Sequence, residues 1–326
     1  MLDTLTNREN SIMMISGLER LTEQYKQAQK AQRRPPLVKR VWILLRIEGV
    51  LGIIRRVKHK LKLGQAAESP VPPRNPVPGN DLKLDSLDSL ARKGLYCSKE
   101  RIAVYTVLFG PYDSVCSPLI QPDNVDYYII TDQETSTGNW GPLAMDNLLP
   151  KEILGDPILC NRWCKMHPHL LFPEHSMSIY VDAIILITSD LTPMTAALEA
   201  FPISMFRHGR RDCVYDETKH CAKLKLISKR ASKEQEFLLN QHGVPRHWGL
   251  LEAPVIARRH HDARCVSIME EWWRIFYEEP AKRDQIALID CLWKMSIPPE
   301  KIGVLGSDVL KCPMLLKFPH QNPWSS

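Results

Sequence analysis

Between Arg101 and Lys294, short β-branched apolar runs alternate with stretches in which apolar residues recur every three or four positions, the pattern of alternating strand and helix. It predicts strands over Arg101 to Leu108, Tyr127 to Thr131, Ile179 to Leu186, Ser204 to Arg207 and Ala253 to Ala257. Between them it predicts helices near Leu82 to Lys93, Arg162 to Leu171, Thr192 to Ala200, Lys233 to Gln241, Val266 to Tyr277 and Asp284 to Lys294. Such an order implies an α/β domain with a mostly parallel central sheet covered on both faces, and ligands bound where loops leave the carboxyl ends of the strands. No internal repeat is visible.

The N-terminal part is patterned differently. Ser11 to Arg33 reads as a polar helix with Leu18, Leu21 and Tyr25 at helical spacing, stopped by Pro35-Pro36. From Val38 to Leu63 two apolar clusters, one holding Trp42, are bordered by Lys39, Arg40, Arg55, Arg56, Lys58, Lys60 and Lys62. That composition suits an interfacial helix set against an anionic membrane surface, and equally a helix that packs on protein with a solvated basic edge. Five prolines among Ser, Asn and Gly between 64 and 81 read as an extended linker. The expected organisation is a helical extension over 1–63, a linker over 64–81 and a catalytic-type domain over 82–326.

Within that domain one acid interrupts the apolar run Ser178-Ile179-Tyr180-Val181-Asp182-Ala183-Ile184-Ile185-Leu186-Ile187. A carboxylate in a buried strand needs a partner, a metal or a ligand, so Asp182 is expected to face a site. Asp190, just beyond, is placed to cap the Thr192 helix.

The stretch resembles the metal-binding strand of nucleotide-sugar glycosyltransferases of the GT-A fold, with Tyr180, Asp182 and Ala183 ahead of an Asp190-Leu191 turn. Further residues match the glycosyltransferase-like domain of plant mucilage-related and bacterial polysaccharide-cluster proteins: Ala103 to Thr106, Phe109 to Asp113, Tyr128 to Asp132, Arg162 with Lys165, His208, Cys213 to Glu217, Gly249-Leu250, Arg258 to His260 and Arg283 to Gln285. The resemblance runs from about Arg101 to about Asp290 and rests on the order and spacing of these segments.

The resemblance implies a sugar transfer from a nucleotide-diphosphate donor to a saccharide or lipid-linked acceptor in surface-polysaccharide assembly. Donor contacts would come from Phe109, Gly110, Tyr112, Asp113, Asp132, Arg162, Lys165, Asp182, Arg283 and Gln285. It further implies a divalent cation, manganese or magnesium, on Asp182 with His320, although Ile184 stands where the family has a second Asp or Asn. Asp284, Glu217 and His208 are the candidate catalytic residues. By residue chemistry alone, Arg162 and Lys165 share a helical face and suit a pyrophosphate or form a surface pair. Asp284 suits a proton acceptor or a helix cap. His167 and His169 are expected to cap or pack. The run Arg258-Arg259-His260-His261-Asp262 would supply cations to a phosphate or an anionic acceptor if it faces the cleft, and is surface charge otherwise, and Glu252 divides in the same way between cleft and surface.

Composition narrows the field. The chain has 326 residues, 44% of them hydrophobic, enough for one large core. A balance of 43 Lys+Arg against 37 Asp+Glu gives +6, too mild to indicate a nucleic-acid partner. Nine cysteines without a Cys-x-x-Cys pair fit reduced thiols; Cys160 and Cys164, four apart, are expected to be core thiols. With no cleavable leader and no apolar run of roughly 18 residues, the expected place is the cytoplasm, peripheral on a bacterial inner membrane if 38–63 anchors. Two rival readings are a non-catalytic nucleotide- or saccharide-binding scaffold, motivated by Ile184, and a metal-dependent hydrolase, opposed by the lack of a His-x-x-x-His helix.

Overall fold

The computed structural model describes residues 100–110, 115–133, 137–144 and 148–318. The N-terminal segments, the linker, the Leu82 to Lys93 helix, Tyr112, Asp113 and His320 lie outside the described residues. A seven-stranded sheet has the order β3-β2-β1-β4-β7-β6-β8. Its strands are β1 (Ile102–Leu108), β2 (Val125–Thr131), β3 (Gly141–Pro142), β4 (Met177–Val181), β6 (Ile203–Arg207), β7 (Leu251–Arg258) and β8 (Gly303–Gly306). Every pairing is parallel except those of β7, which runs antiparallel to β4 and β6. The fold is thus α/β with a mostly parallel central sheet, as the alternation predicts.

The apolar run of β1 is continuous because both of its faces are covered. Ala103, Tyr105 and Val107 enter a core with Trp163, Phe172, Trp272 and Phe276, while Ile102 and Val104 enter one with Ile179, Met194 and Leu305. The first core is built by helices α1 (Pro157–Met166), α2 (Pro168–Leu171), α5 (Ala263–Glu278) and α6 (Asp284–Lys294). The opposite face carries the 3-10 stretch Thr192–Leu198 and a two-stranded sheet of β5 (Ile185–Ile187) and β9 (Leu315–Lys317). Helices α3 (Val214–Lys223) and α4 (Lys229–Gln241) shelter a smaller core around Tyr215 and Leu239.

Three differences from the predicted elements have physical reasons. The strand expected over Ile179 to Leu186 is two strands: β4 stops at Val181, the Asp182 amide donates to the Pro254 carbonyl at 2.8 Å, and its carbonyl accepts from Ile185 across a turn. Asp182 therefore sits at a strand's carboxyl end instead of inside it. The helix expected from Arg162 begins at Pro157, where Asp156 accepts from the amides of Ile158 and Leu159 and proline occupies the first helical position. The segment around Asp216 and Glu217, for which no element is predicted, opens helix α3, whose first-turn acids suit the exposed amides there.

Candidate functional site

The parallel strands β1, β2 and β4 end together, which places Gly110, Asp132 and Asp182 along one edge of the sheet. Gly110 holds φ 70°, and a Cβ there would lie 3.2 Å from Pro157, so the residue type follows from the turn and its packing. Asp132 accepts from the Gly110 amide at 2.9 and 3.1 Å, and the Gln133 side chain donates to the Gly110 carbonyl. Asp132 thus fixes the β1 loop. Phe109 packs partly buried against the core beside it.

Behind this edge lies a network of ionised side chains. The Lys165 ammonium donates to Asp284 Oδ2 at 2.7 Å, lies 3.9 Å from Asp182 Oδ1, and sits 4.8 Å above the Tyr180 ring. Arg162 Nε is 3.2 Å from the same Asp284 oxygen. Asp284 opens α6, with Oδ1 accepting from the Gln285 amide and its carbonyl accepting from Trp272 Nε1 at 2.7 Å. Three helices, α1, α5 and α6, meet at this residue. Burial alone would raise the Asp284 carboxyl, but Arg162, Lys165 and Arg283 outweigh it and hold it well below the usual carboxylate range.

That environment bears on both roles expected of Asp284. A carboxylate so strongly stabilised in its charged form is a weak base, so Asp284 is fitted to anchor the cations more than to take a proton. Lys165 is buried to 2% side-chain exposure, its charge engaged by carboxylates; it underlies the site and does not face solvent as a pyrophosphate ligand would. The accessible members are Asp182, with 31% of its side chain exposed, and Arg162, with 24%. Tyr180, two residues earlier and on the same strand face, donates to Asp182 Oδ1 at 2.8 Å. Arg283 occupies the N-cap position of α6 without a side-chain cap bond, and the buried Nε of Arg283 and Nε2 of Gln285 have no hydrogen-bond partner among the described residues.

A buried bracket, not foreseen from the sequence, holds α1 in place. Arg258, fully buried at the end of β7, donates to the Lys165 carbonyl at 2.6 Å and to the Tyr105 hydroxyl at 2.5 Å, while Tyr105 donates to that same carbonyl at 3.1 Å. Arg258 is therefore neither a cleft cation nor a surface charge. His260 is likewise fully buried, with Nε2 3.1 Å from the Phe172 carbonyl, and burial pushes it down to about 3. An arginine after an apolar strand carries no local sign that it will be enclosed.

His208 and Glu217 lie together in a separate cluster. His208 Nδ1 accepts from the amides of Arg210 and Arg211, Nε2 is 3.6 Å from Glu217, and Arg211 Nε meets Glu217 at 2.5 Å. Burial, then the Arg211 charge, push His208 down to about 4, so it is neutral at pH 7. Glu252 lies nearby through the Gly209 amide, and burial raises its carboxyl. Asp190 accepts from the Thr192 amide at 2.8 Å, the cap expected of it. Cys160 and Cys164 are buried thiols, and His167 stacks on Trp163 at the end of α1, again as expected.

A hard dication takes about six oxygen ligands. At Asp182 the described residues provide one carboxylate with an ammonium beside it, since Ile184 is apolar and Asp284 is committed to Lys165 and Arg162. This donor set does not fit a cation held by the described residues alone.

No family model and no curated protein matches the sequence. Among solved structures the chain is similar to the apo structure of a WbbM bifunctional glycosyltransferase, with TM-score 0.38 and 9% identity over 66% of this chain and 40% of that one. It is also similar to apo mouse xyloside xylosyltransferase 1, with TM-score 0.35 and 8% identity over 63% of this chain and 84% of that one. The chain thus spans two fifths of the length of the former.

Proposed function

We propose that the protein is a glycosyltransferase of GT-A type, which moves a sugar from a nucleotide-diphosphate donor to a saccharide or lipid-linked acceptor in surface-polysaccharide assembly. The observation that carries the reading is the meeting of Asp182 with the Arg162–Asp284–Lys165 network at the carboxyl edge of β1, β2 and β4. That edge is where a parallel α/β sheet binds ligands. In the transfer, the bond from the anomeric carbon to the diphosphate oxygen breaks and a bond to the acceptor oxygen forms. The acceptor hydroxyl gives up its proton to solvent water, and the nucleoside diphosphate departs with the electron pair of the broken bond.

Arg162, the accessible cation, suits the growing charge on that leaving group, because a guanidinium fork matches phosphate oxygens. Asp182 accepts hydrogen bonds from donor hydroxyls, its orientation set by Tyr180. Lys165 and Asp284 hold these two groups in register, with Arg283 and Gln285 alongside. His208 and Glu217 belong to the acceptor side in this reading, as the family resemblance implies. A non-catalytic binding scaffold is the second reading, and the presence of Ile184 where a second acid would stand favours it.

The test is release of nucleoside diphosphate from UDP-, GDP- and dTDP-sugars, and of CMP from CMP-sugars as the non-diphosphate control, with and without manganese. Saturable turnover by the wild type, abolished in Asp182→Ala while unfolding stays cooperative, is the expected outcome. Saturable binding without turnover would establish the scaffold. Full activity in the variant would remove Asp182 from the site.

A further inference from the structure

At the start of α3, away from the sheet edge residues already described, three side chains of different chemistry converge. The Cys213 sulfur, a carboxylate oxygen of Asp216 and a ring nitrogen of His247 all lie within 4.8 Å of one another. Cys213 is the N-cap residue of α3 and is buried, whereas Asp216, three residues on, and His247, in the loop before β7, are exposed. A fourth residue orients the set. Asp212 Oδ1 lies 2.8 Å from His247 Nδ1, which fixes the imidazole tautomer with its lone pair on Nε2.

We infer that Cys213, Asp216 and His247 form a zinc-binding site, with Asp212 as the carboxylate that positions the histidine. One thiolate, one imidazole and one carboxylate are zinc ligands, and the thiolate disfavours magnesium and calcium. Zinc bonds of about 2.0–2.3 Å in a tetrahedron put ligand atoms roughly 3.3–3.8 Å apart. Rotation of the two exposed side chains, Asp216 and His247, would close that difference. A carboxylate on the far nitrogen of a ligating histidine is the usual support of such a site. The loop is already tied to α3: the Gly249 amide donates to the Asp212 carbonyl at 2.9 Å, and Arg246 lies 4.5 Å over the Tyr215 ring. The metal would clip these two segments together, with water in the fourth position.

Cobalt(II) reports the site directly, because a cysteine ligand produces thiolate-to-metal charge-transfer absorption in the near ultraviolet. Titration of the full chain is expected to saturate at one equivalent, and zinc is expected to displace the cobalt. Cys213→Ser and His247→Ala should each abolish the saturable band. Asp212→Asn should keep it with metal affinity weakened about 10–100-fold. Because His247 is exposed, its variant keeps the test decisive should the buried Cys213→Ser impair folding, which circular dichroism reads. No saturable band in the wild type, an undiminished band in either ligand variant that folds, or wild-type affinity in Asp212→Asn would overturn the assignment.

Discussion

Asp284 shows how one buried charge can organise a site. It is nearly enclosed, yet three basic side chains hold it ionised, with one oxygen shared by the Lys165 ammonium and Arg162 Nε and the other accepting from the Gln285 amide of its own helix. Removing one partner of such a group leaves the others charged and desolvated, which typically costs roughly 3–5 kcal/mol. Asp284→Asn, with the shape retained and the charge gone, should therefore lower stability at pH 7 by that order. The sign of the pH dependence follows from the depressed carboxyl. Its contribution is fully present above the unfolded value of about 3.9 and declines as pH falls below it, because the unfolded chain then takes up a proton that the folded one refuses. The gap in urea midpoint between wild type and variant should accordingly hold above about pH 4 and narrow as pH falls below it; a gap that stays constant below about pH 4 would show that the charge is not what stabilises.

At the scale of elements, α1 is the support for Arg162 and Lys165, and its start is set by Asp156 and Pro157. Asp156→Ala removes the acceptor for two amides and should cost about 1 kcal/mol, read as a lower thermal midpoint, with nucleotide affinity unchanged if the site's own contacts survive. Much at this scale is legible in the sequence: β1, β7, α5 and α6 occur within a few residues of where apolar periodicity puts them. What escapes it is nonlocal. The break after Val181 depends on Pro254 of a strand far along the chain, β8 and β9 are too short to show a period, and α3 is hidden by its polar first half. The same division holds for the site. The grouping of Arg162, Lys165, Asp182 and Asp284 follows from the resemblance, whereas the burial of Lys165 and the Arg258 bracket emerge only when the sheet is assembled.

At the scale of the whole molecule, the proposed chemistry and the proposed membrane tether fall on different parts of the chain. No helix among the described residues is long and apolar enough to cross a membrane. The segment from Val38 to Leu63, outside those residues, has a composition that suits an interfacial helix and equally a helix packed on protein: apolar clusters, one with Trp42, bordered by seven named lysines and arginines and followed by a proline-rich stretch of sequence. Each cation near an anionic surface contributes about 1 kcal/mol, and salt weakens that attraction by screening. If this segment is the tether, the full chain should sediment with phosphatidylglycerol vesicles, release as ionic strength rises, and fail to bind after removal of Met1 to Leu63. Sugar transfer to a soluble acceptor should survive the truncation, since every residue of the proposed site lies beyond it. Sedimentation unchanged by truncation, or absent from the full chain, would assign the basic helix to packing against protein, and a lipid-linked acceptor would then have to be met without it.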